Sequence, residues 1–336
     1  MTSTPPTTLV IGHRGASGYR PEHTRAAYEL AFALGADAVE PDIVATRDGV
    51  LVLRHENEIT RTTDVASRPE FARRRTTKHV DGVAHTGWFT EDFTWEELRT
   101  LRSFERIPDV RAANTAFDGW YGILRLKDLM RMIDDASDRA RRQIAMVAEI
   151  KHADYFASIG LPLGELFAAE ISGWATGENL IVEAFEQTVL EDIRLRGVPG
   201  RSVFLVEAAG SPADLVSRDG ARARTYADHL TDAGLARLAT EVHGISVNKR
   251  LLLDLDSGGK LHGATDLVDR AHAAGLSIFC WTLRAENRFL PRQLRTGSRP
   301  GGYGDWPTEF RTLLDSGVDG VFADQPDLVR ELLTAD

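Results

Sequence analysis

Acidic side chains at alternate positions mark one short apolar segment of the chain. Glu40 and Asp42 interrupt the run 38–45, and because strand residues two apart point to the same face, the two carboxylates project together. Adjacent carboxylates repel each other unless a cation or a shared proton compensates. Ca²⁺ and Mg²⁺ prefer such oxygen ligands. The pattern therefore fits a metal site, and it fits an edge strand with a solvated acidic face about as well.

A second apolar run also ends in charged side chains that lie two residues apart. Glu149 and Lys151 lie two apart at the end of the run 143–150. Glu149 is a candidate third oxygen ligand, and Lys151 is a candidate contact for an anionic group of a substrate. The alternative is an ordinary salt bridge at a strand end. Two acidic strand ends together favour the metal site.

Histidines end two further runs. His13 is followed by Arg14 and a glycine, and the planar guanidinium of Arg14 suits a phosphate group. His55 follows the run 50–54. A lone histidine is usually structural, but two at strand ends fit a general acid/base couple that works near neutral pH.

The position of His55 depends on the turn that precedes it. Asp48-Gly49 is a strong hairpin signal between the Glu40 strand and the run that ends at His55. A two-residue loop predicts His55 opposite Asp42, and a four-residue loop predicts it opposite Glu40. A three-residue loop would place it opposite neither.

Eight short apolar runs alternate with segments of helical period. This alternation predicts parallel strands with helical crossovers, and eight strands favour a closed α/β barrel of the TIM (β/α)8 type over an open doubly wound sheet. The expected organisation is a single domain over residues 1–336. The predicted strands are 8–13, 38–45, 143–150, 179–185, 202–208, 243–248, 277–283 and 318–324, and the clearest helical patterns are 24–35, 126–136, 265–276 and 308–317.

Two long irregular segments break the alternation. They are the insertion at about 56–122, after the hairpin of the second strand, and the Gly/Pro-rich segment 286–306. Loops of this length are usually functional, and in a barrel they belong at the C-terminal face, where sites form.

Trp281 lies at the end of the predicted strand 277–283. It is a candidate for the mouth of a pocket, with a packed core position as the alternative.

Composition excludes several classes of protein. The 40 basic and 50 acidic residues give a net charge of −10, which disfavours a nucleic-acid binder, and one cysteine excludes a disulfide scaffold. An apolar fraction of 43% is ordinary for a globular chain, and no apolar run is long enough to span a membrane. The N-terminus has no signal-peptide pattern, so the chain as given is expected in the cytoplasm. A periplasmic or secreted location would require a leader that has been removed. No pattern indicates an oligomeric state.

Five blocks of sequence stand out along the chain: HRGASGYRPEHT at 13–24, GADAVEPDIVATRDGVLVLRHE at 35–56, AEIK at 148–151, CWTL at 280–283 and GVDGVFADQPD at 317–327. In order and spacing these blocks resemble the glycerophosphodiester phosphodiesterase family. The insertion further resembles the periplasmic or secreted branch of that family. The departures are small: His23 stands where the family usually has an amide, Glu56 follows the second histidine where an aspartate is common, and Ala323-Asp324-Gln325-Pro326 replaces a TDxP pattern.

The resemblance implies a TIM-barrel phosphodiesterase with one divalent cation. Ca²⁺ is expected because the branch with the insertion typically uses it, and Mg²⁺ is the alternative. Matched position by position, the metal ligands are Glu40, Asp42 and Glu149, the acid/base histidines are His13 and His55, the phosphate contacts are Arg14 and Lys151, and Glu22 lies near the metal in a supporting role. Which histidine is the acid and which the base stays open.

The implied reaction is hydrolysis of a small glycerophosphodiester, such as glycerophosphocholine or glycerophosphoethanolamine, to an alcohol and sn-glycerol 3-phosphate. The attacking group is water or the neighbouring glycerol hydroxyl, which would give a cyclic phosphate first. One alternative is a phospholipase-type or teichoic-acid-type phosphodiesterase on the same barrel. Another is a non-catalytic protein that binds glycerophosphodiesters, although a pure binder has no need of two histidines and three acids.

Overall fold

Parallel strands form a closed barrel at the centre of the molecule. The structure is a computed structural model that describes residues 8–334. The largest sheet has the order β2-β1-β14-β13-β10-β9-β8-β7-β3-β4, and an additional pairing of β2 with β7 closes it. The strands are β1 (Leu9–His13), β2 (Ala38–Glu40), β3 (Asp42–Ala45), β4 (Leu51–Leu53), β5 (Thr76–Val80), β6 (Val83–Gly87), β7 (Ala145–Ile150), β8 (Leu180–Ala184), β9 (Arg201–Val206), β10 (Gly244–Asn248), β11 (Leu253–Leu255), β12 (Leu261–Ala264), β13 (Ser277–Leu283) and β14 (Gly320–Ala323).

The predicted eight-stranded barrel is confirmed. β2 and β3 are two halves of one barrel strand, separated by Pro41, which has no N–H to donate to a sheet. Each of the eight predicted runs forms a barrel strand, and all barrel pairings are parallel. The alternative of an open sheet is wrong, because β2 pairs with both β1 and β7.

Helices surround the barrel. α3 shows why: its buried Leu126, Leu129, Ile133 and Ala136 recur every three or four residues, so one face packs on the barrel while the other meets solvent. The helices are α1 (Arg25–Ala33), α2 (Trp95–Leu98), α3 (Leu126–Ala140), α4 (Ala153–Ser158), α5 (Leu163–Glu170), α6 (Gln187–Leu195), α7 (Ala213–Asp219), α8 (Tyr226–His229), α9 (Asp232–Leu238), α10 (Leu267–Ala273), α11 (Trp306–Asp315) and α12 (Pro326–Thr334). Among residues 8–334 no helix combines the length and apolarity that a membrane crossing requires.

The interior of the barrel changes from apolar to polar along the strands. Its apolar layer consists of Ile11, Ala38, Val147, Ile181, Val203, Phe279 and Phe322. Because inward positions recur every two residues, the next inward positions toward the carboxyl ends are His13, Glu40, Glu149, Glu183, Leu205, Trp281 and Asp324. The strand period therefore collects polar side chains at one end of the barrel.

The hairpin between β3 and β4 has a register that neither predicted loop allows. Ile43 pairs with Leu53 and Ala45 with Leu51, and the Thr46 N–H donates to the Val50 carbonyl at 3.0 Å, which leaves the three-residue loop 47–49 and places His55 across from Pro41. The Oγ1 of Thr46 also accepts the Val50 N–H at 3.0 Å. Both predicted pairings of His55 are therefore wrong. His55 nevertheless reaches the site, because β4 ends at Leu53 and the chain then turns into the cavity.

The two irregular segments lie over the C-terminal end of the barrel, as predicted. The insertion 56–122 was predicted to be irregular, but it contains the β5–β6 hairpin and α2. Arg106 from this insertion and Phe289 from the segment 286–306 both line the central cavity.

Candidate active site

A cavity of about 530 Å³ opens at the carboxyl ends of the barrel strands. Asp42 lies buried beside this cavity, in contact with Arg14 and Lys151. The structure thus brings every site residue named from sequence into one place. The named residues that line the cavity directly are His13, Arg14, Glu22, Glu40, His55, Glu149, Lys151 and Trp281.

Three buried carboxylates form a compact cluster. Glu40, Asp42 and Glu149 each offer an oxygen within 4.8 Å of the others. β3 and β7 pair Asp42 directly with Glu149, and Glu40 lies two residues before Asp42. Within the described residues, Glu40 Oε1 and Asp42 Oδ1 have no hydrogen-bond partner. Buried oxygens without partners are costly, and these fit a hard divalent cation, which binds carboxylate oxygens.

Without a cation, the three carboxyl groups of the cluster differ in the direction in which their pKa values are shifted. Burial and the neighbouring Asp42 raise the pKa of Glu40 well above its usual range. Burial and Asp42 also raise the pKa of Glu149 to about 8, against the opposing effect of Lys151. Burial opposes ionisation of Asp42 too, but Lys151 and Arg14 hold its pKa well below the ordinary value. A divalent cation would favour the ionised form of all three.

Two neighbours fix the orientation of Asp42. Arg14 Nε lies 3.1 Å from Asp42 Oδ2, and His23 Nε2 lies 2.9 Å from the same oxygen. The other ring nitrogen of His23 is 2.8 Å from the Tyr28 hydroxyl. Because this chain has His23 where the family usually has an amide, an imidazole lies directly behind Asp42, a candidate metal ligand.

Arg14 and Lys151 flank the carboxylate cluster with positive charge. Arg14 donates to Glu22 at 2.8 Å, and Lys151 Nζ lies 2.8 Å from Glu149 and 3.5 Å from Asp42. The chain can turn tightly after Arg14 because Gly15 has a φ of +84°, and a Cβ there would lie 2.5 Å from the Ala27 carbonyl carbon. Both cations line the cavity and are placed to contact an anion in it.

His13 is oriented by a buried aspartate. Its Nδ1 lies 2.6 Å from Asp324 Oδ1. Burial and Arg14 lower the pKa of His13 to about 4, although Asp324 opposes the shift. Burial disfavours ionisation of Asp324, but Arg284, Arg111 and His13 keep its pKa well below the usual range. Neutral His13 thus donates a hydrogen bond from its Nδ1–H to Asp324, and its Nε2 remains available to a substrate.

His55 repeats this arrangement with a different carboxylate. Its Nδ1 lies 2.7 Å from Glu56 Oε1, and Arg106 contacts the same carboxylate oxygen. Burial, Arg14 and Lys151 lower the pKa of His55 well below its usual range. The cavity therefore holds two neutral imidazoles, each held by one carboxylate, and both can accept or pass on a proton.

Several residues of the cavity were not singled out from sequence. Glu183 is the most conspicuous: it pairs with Glu149 across β7 and β8, and its Oε2 is buried with no partner in residues 8–334. The alternation that selected Glu149 is also present in the run 179–185 and could have found it. Arg111 and Arg284 both contact Asp324. Arg111 gave no signal because it comes from the irregular insertion, whereas Arg284 directly follows β13 and its place at a strand end could have indicated it.

Trp281 lies in the cavity wall, as predicted. Its Nε1 donates to the Ser246 carbonyl at 3.1 Å, and its ring meets the edge of Phe185 at a centroid distance of 5.7 Å. Cys280, the neighbouring residue, is buried in the apolar core.

Known proteins resemble this chain over most of its length. The glycerophosphoryl diester phosphodiesterase family matches residues 13–328. A glycerophosphodiester phosphodiesterase of Treponema pallidum is 40% identical over 95% of this chain and 90% of its own. A probable glycerophosphodiester phosphodiesterase 1 of Mycobacterium tuberculosis is 46% identical over 82% of this chain and 81% of its own.

Solved structures share the fold at low sequence identity. A putative glycerophosphoryl diester phosphodiesterase of Silicibacter pomeroyi has a TM-score of 0.67 and 19% identity, and the match covers 99% of this chain and 95% of that one. A phosphodiesterase of Oleispira antarctica, solved with the product sn-glycerol-3-phosphate, has a TM-score of 0.63 and 18% identity over 98% of this chain and 97% of its own. On the family match and the curated relatives, this chain belongs to the glycerophosphoryl diester phosphodiesterase family.

Proposed function

We propose that this protein hydrolyses small glycerophosphodiesters to an alcohol and sn-glycerol 3-phosphate. One observation carries the proposal: two histidines, each held by a carboxylate, share a cavity with two cations and a buried carboxylate cluster. The cations suit an anionic phosphodiester, and the histidines suit proton transfer at its two ester oxygens. A protein that only binds such diesters would not need both histidines oriented in this way.

Glu40, Asp42 and Glu149 would hold the divalent cation, with Ca²⁺ the first candidate and Mg²⁺ the second. The unpartnered oxygens of Glu40 and Asp42 support this assignment. When bound, a divalent cation neutralises charge on a phosphoryl oxygen. An all-oxygen site accepts either ion, and coordination number and flexibility decide between them.

The protein side chains would carry the proton transfers and hold the phosphate. Arg14 and Lys151 stabilise the negative charge that builds up on the phosphoryl oxygens. One histidine removes the proton of the attacking hydroxyl, which comes from water or from the neighbouring glycerol hydroxyl. The other donates a proton to the departing alcohol oxygen as its bond to phosphorus breaks. If the glycerol hydroxyl attacks, water then opens the cyclic phosphate in a second, equivalent step.

The test is release of glycerol 3-phosphate from glycerophosphocholine. We expect turnover with Ca²⁺ or Mg²⁺ and none in chelator. His13→Ala and His55→Ala should each lower kcat by on the order of 10²–10⁴ because a general acid or base is lost. His272→Ala is the matched control, since His272 is exposed and contacts Asp319 on the outside of the barrel. Full turnover in either site variant would overturn the acid/base assignment, and no release by the metal-loaded wild type would overturn the function.

A further inference from the structure

Glu183 is a buried carboxylate of the central cavity to which the proposed function gives no role. It lies on β8 and pairs with Glu149 of β7, so both side chains point into the barrel. Glu183 is 2% exposed and lines the cavity. Within residues 8–334 its Oε2 has no hydrogen-bond partner, and no basic side chain forms an ion pair with it. A buried carboxylate of this kind is costly unless a ligand supplies a donor.

The candidate metal cluster does not account for Glu183. The oxygens that lie within 4.8 Å of one another belong to Glu40, Asp42 and Glu149, and Glu183 is not a member of that group. Lys151 does not compensate Glu183 either, because its Nζ contacts Glu149 at 2.8 Å and Asp42 at 3.5 Å. A single carboxylate outside the cluster fits a hydroxyl donor better than a second cation, which takes several oxygen ligands.

Apolar side chains close the cavity beside Glu183. Across β8 and β9 it pairs with Val203, which belongs with Ile181 to the apolar layer that fills the barrel below the cavity. Leu205, the next inward position on β9, lines the cavity, and so does Trp281. The space at Glu183 is therefore a closed end with one acceptor and apolar walls. Such a space suits a short carbon chain that ends in a hydroxyl.

The glycerol half of a diester has this form and lies within reach of Glu183. Phe185, two residues after Glu183, has its ring centroid 5.7 Å from Lys151 Nζ, so β8 runs directly beside a candidate phosphate contact. Glycerophosphodiesters share the glycerol phosphate half and differ in the other alcohol. The closed end fits the constant half, and the open mouth of the cavity leaves room for the variable one.

We propose that Glu183 accepts a hydrogen bond from the terminal hydroxyl of the glycerol half and thereby selects diesters in which that hydroxyl is free. An acyl chain on the same oxygen would remove the donor and would not fit the closed end. A site built to pair with a substrate hydroxyl rejects an analogue that lacks it, because the buried acceptor is left unpaired. This inference rests on the proposed function and adds a specificity-determining residue to it.

The test compares glycerophosphocholine with its deoxy analogue, in which a methyl group replaces the terminal CH2OH. Release of choline measures turnover of both diesters. We expect wild-type kcat/KM to be roughly 10–100-fold higher for glycerophosphocholine, the usual effect of one hydrogen bond to a charged group. In Glu183→Leu this ratio should fall at least tenfold, whereas Glu183→Gln should keep most of it because the amide oxygen also accepts a hydrogen bond.

Glu191→Leu is the matched control. Glu191 is an exposed residue of α6 that does not line the central cavity, so the variant should have the wild-type ratio. A purely structural role of Glu183, or a role in holding the metal, would lower the turnover of both diesters alike and leave their ratio unchanged in Glu183→Leu. That result would overturn the proposal and leave the phosphodiesterase function intact. Absence of choline release from glycerophosphocholine by the metal-loaded wild type would instead overturn the proposed function.

Thermal melts provide a readout that does not depend on turnover. They also check that each variant is folded. We expect sn-glycerol 3-phosphate to raise the Tm of the wild type more than propane-1,2-diol phosphate does at the same concentration, because only the former has the terminal hydroxyl. In Glu183→Leu the two phosphates should give equal shifts. Equal shifts in the wild type would contradict the role of Glu183 even if Glu183→Leu were inactive with both diesters.

Discussion

The candidate active site relies on carboxylates that act through their neighbours. Asp324 shows this most clearly, because it is 1% exposed, accepts a bond from His13 and also contacts Arg111 and Arg284. It thus orients one imidazole and neutralises the buried guanidinium group of Arg111 and the partly exposed one of Arg284. We describe it as a positioning residue, since both of its oxygens are occupied by His13, Arg111 and Arg284.

Replacing Asp324 by asparagine should damage activity and stability together. We expect kcat to fall by on the order of a thousandfold, because the amide can favour the wrong tautomer of His13. We also expect a loss of about 3 kcal/mol in the free energy of unfolding at pH 7, because the substitution removes the charged partner that buried Arg111 and partly exposed Arg284 share. Activity assays and urea unfolding measure the two effects. Asp327→Asn is the control, because Asp327 lies in the first turn of α12, just after Asp324.

The stability loss should depend on pH in one direction. The pKa of Asp324 is lowered in the folded protein, so its contribution to stability is complete above the unfolded pKa of about 3.9 and is lost as the pH falls below that value. The difference between wild type and Asp324→Asn should therefore shrink in acid. A difference that grew on acidification would contradict the ionised state assigned to Asp324.

At the scale of elements, the strands supply the chemistry and the insertion covers it. The acidic cluster, His13 and the flanking cations lie at or just after the carboxyl ends of β1, β2 and β7 and at the first residue of β3. The insertion adds Arg106, which lies 3.3 Å from Glu22 and also contacts Glu56. Arg106 therefore links the supports of Arg14 and His55, and it ties a long surface segment to the site.

Loss of Arg106 should loosen the site, because Glu22 and Glu56, which support Arg14 and His55, lose a shared partner. We expect Arg106→Met to lower kcat/KM by roughly 10–100-fold, the usual effect of removing a supporting contact. Arg61→Met provides the control, because Arg61 is an exposed arginine of the same insertion. Wild-type kinetics in Arg106→Met would show that the insertion does not position the site through this residue.

At the scale of the whole molecule, a metal bound only by the folded state should raise stability. Glu149 joins Glu40 and Asp42 from a strand that is far away in sequence, so the unfolded chain offers no such cluster. Ligand binding at about 100 times Kd adds roughly 2.7 kcal/mol to the free energy of unfolding. For a chain of this size the expected rise in Tm is about 5 °C.

Thermal melts with and without Ca²⁺ or Mg²⁺ measure this effect. Glu40→Gln should melt at or above the wild-type temperature in chelator, because it removes a buried, repelled carboxylate, and it should gain little from added metal. Glu178→Gln, at an exposed position, should respond to metal as the wild type does. Equal metal-induced shifts in Glu40→Gln and wild type would contradict the assigned ligands.

The sequence by itself determined the barrel and most of the candidate site. Strand alternation is a local property, so it selected Glu40, Asp42, Glu149 and Lys151 without any knowledge of the fold. The eight apolar runs likewise predicted the eight barrel strands. The family resemblance suggested what role each of these residues has. The geometry is compatible with those roles, and the activity assays test them.

Only the tertiary structure decided the contacts between distant segments. The hairpin has the register of a three-residue loop, and the Asp-Gly signal by itself did not choose between loops of two, three and four residues. Asp324 lies 311 positions from His13, and Arg106 reaches Glu22 from an irregular insertion. A cavity lined by Tyr155, Phe185, Glu186 and Glu207 arises where the loops after β7, β8 and β9 meet. Sequence periodicity reports which way a side chain points along one strand, whereas these contacts depend on how the barrel closes and brings its loops together.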